Sequence, residues 1–158
     1  MLNKKYYNNS YFYSQRLMNI KHDIKETGTC GKGIFALEDI KAGTCIWSYK
    51  LNVNVFEFNE QQCKDYLSSL DTLSEQQRFL DYAFGKGDKL CLITDNGMYM
   101  NHADASRCNC QTDLHTGDCF TKKDIKAGEQ LFENYATYSH PPFLFALLKQ
   151  YQCEPTYY

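Results

Sequence analysis

Apolar residues gather in short runs over the first third of the chain and recur at intervals of three and four over the middle. The change of period divides the sequence. Arg16 to Lys25 reads as a strand, and KETGTCGKG after it places three glycines within residues 28–33, a turn signature. Ile34-Phe35-Ala36-Leu37 is a short apolar run, and CIWSYKLNVNVFEF (45–58) holds two further strands rich in β-forming side chains. From Asn59 to Phe84, Cys63, Tyr66, Leu67 and Leu70, then Phe79, Leu80, Ala83 and Phe84, keep helical spacing and predict two short helices. Ser74 with Gln77 offers a helix-start capping box. Residues 89–93 and 107–121 return to short strands, the latter turning at His115-Thr116-Gly117. Pro141 and Pro142 then open FLFALLKQY, a closing helix over about 141–151. The predicted class is mainly β with short helices (α+β).

Composition adds limits. A chain of 158 residues, 43% apolar and 23% charged, suits one compact domain over 16–158 with a helical insert at about 59–84. Residues 1–15, rich in Asn and Tyr and without a period, predict a flexible or loosely docked arm. The net charge of −2 and the lack of a dense Lys/Arg block argue against direct nucleic-acid binding. No apolar run approaches the ~20 residues of a membrane helix, and MLNKKYYNNSYFY lacks the apolar stretch of a signal peptide. A soluble intracellular protein, nuclear or cytoplasmic, is expected, and its eight cysteines are then expected to be reduced thiols.

One pentapeptide occurs twice: DIKAG stands at 39–43 and again at 124–128. Each copy turns through Lys-Ala-Gly into a β-type run, TCIWSY or EQLFENY, with Gly43 or Gly128 supplying a conformation that side chains resist. The flanks do not match over a longer span, so the chain uses one local device in two places rather than a duplicated domain.

Beside these turns stand GKGIFA (31–36), YMNHADASRCN (99–109) and ENY (133–135). The ordered set resembles the SET domain of protein lysine methyltransferases, from about Ile20 to Tyr135. The resemblance implies a fold of small sheets with a threaded, knot-like core and S-adenosylmethionine as methyl donor. It also implies a protein substrate, a histone tail being one candidate. By the same resemblance Gly31, Lys32, Gly33 and Ile34 match the G-x-G segment that approaches the cofactor, and Asn101 and His102 match the N-H pair that holds it. Tyr135 matches the tyrosine at the methyl-transfer centre, Tyr99 falls where an aromatic lines the lysine channel, and Phe143 or Phe145 of the closing helix falls near the cofactor or channel mouth. Taken alone, each of these has a plainer reading: a tight turn, a polar loop, a packed aromatic.

Several positions depart from the family pattern. N-H-S-x-x-P-N is here N-H-A-D-A-S-R, with Ala103, Ser106 and Arg107 in place of Ser, Pro and Asn, and Asn109 can substitute only in a longer loop. Two residues before Tyr135, where an aromatic is usual, stands Glu133. If 130–135 is a regular strand, Glu133 shares a face with Tyr135 and stands in the substrate channel; a bulge would turn it to solvent. No cysteine-rich zinc segment follows Tyr135. Cys108, Cys110, His115 and Cys119 lack a usual zinc spacing, and buried thiols are the simpler reading, so no metal is expected. The altered N-H segment keeps two alternatives open: a SET-fold binding module without catalysis, and an enzyme acting on another side chain such as histidine.

Overall fold

The computed structural model describes residues 18–153; the expected arm at 1–15 lies outside them. Small sheets and three short helices make up the described chain, mostly β with some helix. No described helix is long and apolar enough to cross a membrane. The described chain forms two units, one containing Leu51–Ile93 and residues 136–153, the other the described residues up to Lys50 and Thr94–Tyr135.

In the second of these units, β1 (His22–Glu26) and β2 (Lys32–Ala36) form an antiparallel pair. The strands β3 (Cys45–Trp47), β8 (Cys110–Thr112) and β9 (Cys119–Thr121) form a sheet ordered β3-β9-β8. A third sheet is the parallel pair of β7 (Asn101–His102) and β10 (Phe132–Glu133). Ile34, Ile46, Trp47, Ile125 and Leu131 are buried in this unit.

The two DIKAG turns meet here. Ile40 and Ile125 exchange backbone hydrogen bonds of 2.8 and 2.9 Å. Asp39 accepts from Ala127 N (3.0 Å) and Lys126 Nζ (2.7 Å), while Asp124 accepts from Ala42 N (3.0 Å) and Lys41 Nζ (2.7 Å). Gly43 and Gly128, at φ 80° and 90°, donate to Thr121 O and Ala36 O. Each turn thus ties the strand that follows it to the strand that precedes the other copy, which is why one pentapeptide serves twice. The Lys126 bond, then the Ala127 N–H, holds the Asp39 carboxyl below its usual range, and Lys41 and Ala42 do the same for Asp124. A carboxyl with a lowered folded-state pKa stabilises above its unfolded value and loses that contribution as pH falls through the folded value. Asp39→Asn with Asp124→Asn should therefore lower the urea midpoint at neutral pH, with the difference from the parent shrinking below about pH 4. A pH-independent difference would show that the clasp does not act through these charges.

The other unit carries the sheet β4-β6-β5, formed by β4 (Val55–Phe58), β5 (Ala83–Lys86) and β6 (Lys89–Ile93), with α1 (Glu60–Ser68), α2 (Leu73–Tyr82) and α3 (Pro142–Gln150). Phe58, Leu67, Phe79, Leu90, Leu144 and Leu147 form its core. Helix α1 starts at a capping box of Asn59 and Gln62, and α2 at one of Thr72 and Glu75. The latter lies two residues before the expected Ser74–Gln77 box, because Thr72 has the extended backbone of a cap and Glu75 brings negative charge to the helix start. Ala83 and Phe84, expected in the helix, belong to β5 instead. Gly85 and Gly87 follow them, poor helix formers, and a Gly85 Cβ would stand 1.7 Å from Ser139 O. Pro142 opens α3 as expected.

Candidate active site

The site residues of the unit containing Thr94–Tyr135 are set by a buried carboxylate. Trp47 Nε1 donates to both oxygens of Asp95 at 3.0 Å, and Gly97 N donates to Oδ1 at 2.9 Å. Asp95 thereby caps the 3-10 turn Asn96–Tyr99. A side chain at Gly97 would meet Trp47 Nε1 at 2.6 Å, so glycine lets the indole reach the cap. The turn delivers Tyr99, Met100, Asn101 and His102 in succession.

Strand β7 is two residues long and draws its stability from its neighbours. Phe132 pairs with Asn101 and Glu133 with His102, and Ala103 N donates to Glu133 O at 2.8 Å. The following loop is tied internally by Asp104, which accepts from Ser106, from Arg107 N and from Arg107 Nε at 2.9 Å. The Ser106 hydroxyl and the Arg107 guanidinium hold the Asp104 carboxyl well below the usual range. The loop ends at Asn109, which is 5% exposed. Its Nδ2 donates to Gln130 O (2.8 Å), its Oδ1 accepts from Phe132 N (2.8 Å), and its backbone N donates to Phe132 O (3.1 Å). Asn109, two residues beyond Arg107, is the asparagine that meets segment 130–132. Segment 130–133 is thus gripped by both ends of the loop that follows β7.

Tyr135 stands where this segment emerges. Its N–H donates to His102 Nδ1 at 3.1 Å, its ring lies 5.4 Å from the imidazole, and its hydroxyl donates to the Met100 carbonyl. Nearby in the same unit, Asn101 Nδ2 donates to Lys32 O at 3.0 Å, and Lys32 Nζ stands over the Tyr99 ring, 5.9 Å from its centroid. Gly31, at φ 65°, has nothing within 4 Å of the place a Cβ would take. At Gly33 that place is filled: a Cβ would meet Gln130 Nε2 at 2.3 Å and Asn101 Nδ2 at 2.9 Å. Gly33 therefore lets the Asn101 amide dock against the chain, and Ile34 beside it is a buried core side chain.

The structure brings together Lys32, Gly33, Tyr99, Asn101, His102 and Tyr135 within one unit. The expected regular strand over 130–135 is overturned. Strand β10 ends at Glu133, and Tyr135 opens the 3-10 turn Tyr135–Thr137. Glu133 is 6% exposed, so the solvent-facing alternative fails as well. Its carboxylate accepts from Thr112 Oγ1 at 2.7 Å and bonds the Cys119 thiol. Hydrogen bonding with Cys110, then burial, then the Glu133 charge push the Cys119 thiol well above its usual range. Phe143 packs against the core of the α-helical unit, and Phe145 is 48% exposed, its ring beside His140. Cys108 and Cys110 are buried, Cys108 accepting from Lys122 Nζ at 3.2 Å, and His115 lies on an exposed turn. Among the described residues no group of three or more His, Cys, Asp or Glu could hold a metal ion.

Residues 31–136 match the family model of the SET domain, most of the chain and every motif just described. The chain belongs to the SET domain family. This SET domain is also similar to a solved structure from Plasmodium falciparum whose assigned name proposes histone methyltransferase activity. The likeness has 17% identity and a TM-score of 0.49, covering 75% of this chain and 95% of the other. A comparison of the SET-domain sequence with curated proteins gave no match.

Proposed function

We propose that this SET-domain chain is an S-adenosylmethionine-dependent protein lysine N-methyltransferase. The observation that carries the proposal is the fixing of Tyr135 by His102 Nδ1 and the Met100 carbonyl, beside Asn101 docked on Lys32. Tyr135 gives its phenolic hydrogen to Met100 O, and a phenol oxygen that donates its hydrogen meets a cationic centre with its lone pairs. A sulfonium donor and an amine gaining positive charge as it is methylated both profit from such an oxygen.

The residues present fit the cofactor. Its amino-acid end carries a carboxylate and an ammonium, and Asn101 Oδ1 makes no hydrogen bond among the described residues, so an acceptor is at hand. Gly31, one residue before Lys32, has open space where a Cβ would stand. When bound, the cofactor supplies a methyl group on sulfonium sulfur. The lysine must be neutral to accept it, which at pH 7 costs about 4–5 kcal/mol for a free side chain. An apolar, aromatic approach through Tyr99 and Tyr135 lowers that cost by disfavouring the ammonium. Holding amine and methyl in line supplies several kcal/mol more.

The substrate is a protein, and a basic segment such as a histone tail suits a mildly acidic enzyme. Incubation with methyl-labelled S-adenosylmethionine, histones and cell extract tests the reading: label should enter protein. Absence of transfer, with the cofactor bound, would favour a SET-fold binding module instead.

A further inference from the structure

Strand β1 has one strand neighbour among the described residues, β2, and its other edge is unpaired. The ends of the ladder show which backbone groups lie on that edge. Leu37 N donates to Lys21 O, and Thr27 N donates to Gly31 O. The odd-numbered residues of β1 therefore exchange hydrogen bonds with β2, and the N–H and C=O groups of His22, Ile24 and Glu26 point away from it. Ile24 N agrees: at 2.9 Å it donates to the carboxylate of its own neighbour Asp23 and not to a strand. The side chains along the edge are ordered too. Asp23 and Lys25 share one face, half exposed and 3.7 Å apart. Lys25 Nζ lies over the Phe35 ring, 5.4 Å from its centroid, which keeps the cation on that face.

An open strand edge is a template for another strand, and charges on it exclude partners that do not answer them. The sequence His22-Asp23-Ile24-Lys25-Glu26 answers its own charges. A second copy turned antiparallel about Ile24 sets Lys25 against Asp23 and Asp23 against Lys25, while Ile24 exchanges both outward backbone groups with Ile24 of the other copy. The four charges then alternate in sign. Shifting the register by two residues puts Asp23 opposite Asp23 or Lys25 opposite Lys25, which is destabilising. A shift of one sets outward-facing backbone groups opposite inward-facing ones. One antiparallel register is left.

We infer that the β1 edge is a homodimer contact: two copies of this chain pair β1 with β1 about Ile24, giving a continuous sheet β2-β1-β1-β2 across a two-fold axis. The contact goes beyond the methyltransferase reading and does not depend on it.

Sedimentation equilibrium on the full chain, from micromolar to millimolar concentration, tests this. The parent should approach twice the monomer mass as concentration rises. Asp23→Lys and Lys25→Asp each bring like charges opposite one another and should weaken the dimer by about tenfold or more. Mixed in equal amounts, the two variants should associate as the parent does, because the edge with two lysines meets the edge with two aspartates. That recovery would also show both variants to be folded. A parent that stays monomeric at every concentration, a dimer that both variants retain undiminished, or a mixture of folded variants that fails to associate would overturn the contact.

Discussion

Tyr135→Phe should fold, bind S-adenosylmethionine as the parent does, and transfer methyl at least about tenfold more slowly, a loss of about 1.4 kcal/mol of transition-state stabilisation. The substitution removes one oxygen. The ring stays against His102, and the backbone N–H that meets His102 Nδ1 is untouched. Met100 O loses its hydroxyl donor, which costs about 1 kcal/mol of stability, too little to unfold a domain with a substantial core. The signature that separates chemistry from structure is a fall in kcat with the cofactor Kd unchanged. A parallel loss of both would mean that the hydroxyl serves only to hold Met100, and unchanged turnover would remove Tyr135 from the reaction.

Asn109→Ala has the larger expected effect on stability. The amide satisfies Gln130 O and Phe132 N inside the fold, and the Cys110 thiol donates to its oxygen at 3.4 Å. Each buried group left without a partner costs about 1–3 kcal/mol, so the variant should lose about 3–4 kcal/mol in urea denaturation. Asn109→Asp keeps the acceptor for Phe132 N but sets a second oxygen against Gln130 O, so its loss should grow as pH rises and the carboxyl ionises. Because Phe132 and Glu133 lead directly to Tyr135, a protein loosened here should also transfer methyl more slowly before it unfolds. If Asn109→Ala stays within about 0.5 kcal/mol of the parent, as an ordinary surface change would, the loop is not what holds segment 130–133.

Much of this architecture is written in local patterns. The helices of residues 59–84 follow from their spacing of three and four, and the closing helix from its paired prolines. The strand at Ala83–Lys86 did not show, because Ala83 and Phe84 continue the apolar spacing of α2 and two glycines alone mark the change. The repeated DIKAG was legible as a device used twice. That the copies clasp each other was not, since Asp39 and Ala127 are brought together by the fold and not by any sequence period.

The site divides in the same way. Lys32, Asn101, His102 and Tyr135 were recognisable because their order and neighbours follow a family pattern, and the fold assembles them. Asn109 could be weighed only if the loop were longer, a length that the sequence alone does not give. Glu133 was misplaced because a strand of two residues ends where a period-two argument needs it to continue; its true neighbours, Thr112 and Cys119, lie on β8 and β9. A two-residue parallel pair such as β7 and β10 has no sequence signature at all: its place is set by the loop that follows β7, through Ala103 and Asn109, not by its own side chains.

Methyl transfer to lysine is read out by hydrolysing the labelled protein product and identifying the modified amino acid by chromatography. Label should appear in ε-N-methyllysine and be abolished or strongly reduced with Tyr135→Phe. Label in methylhistidine, or none in protein from an enzyme that binds the cofactor, would contradict it.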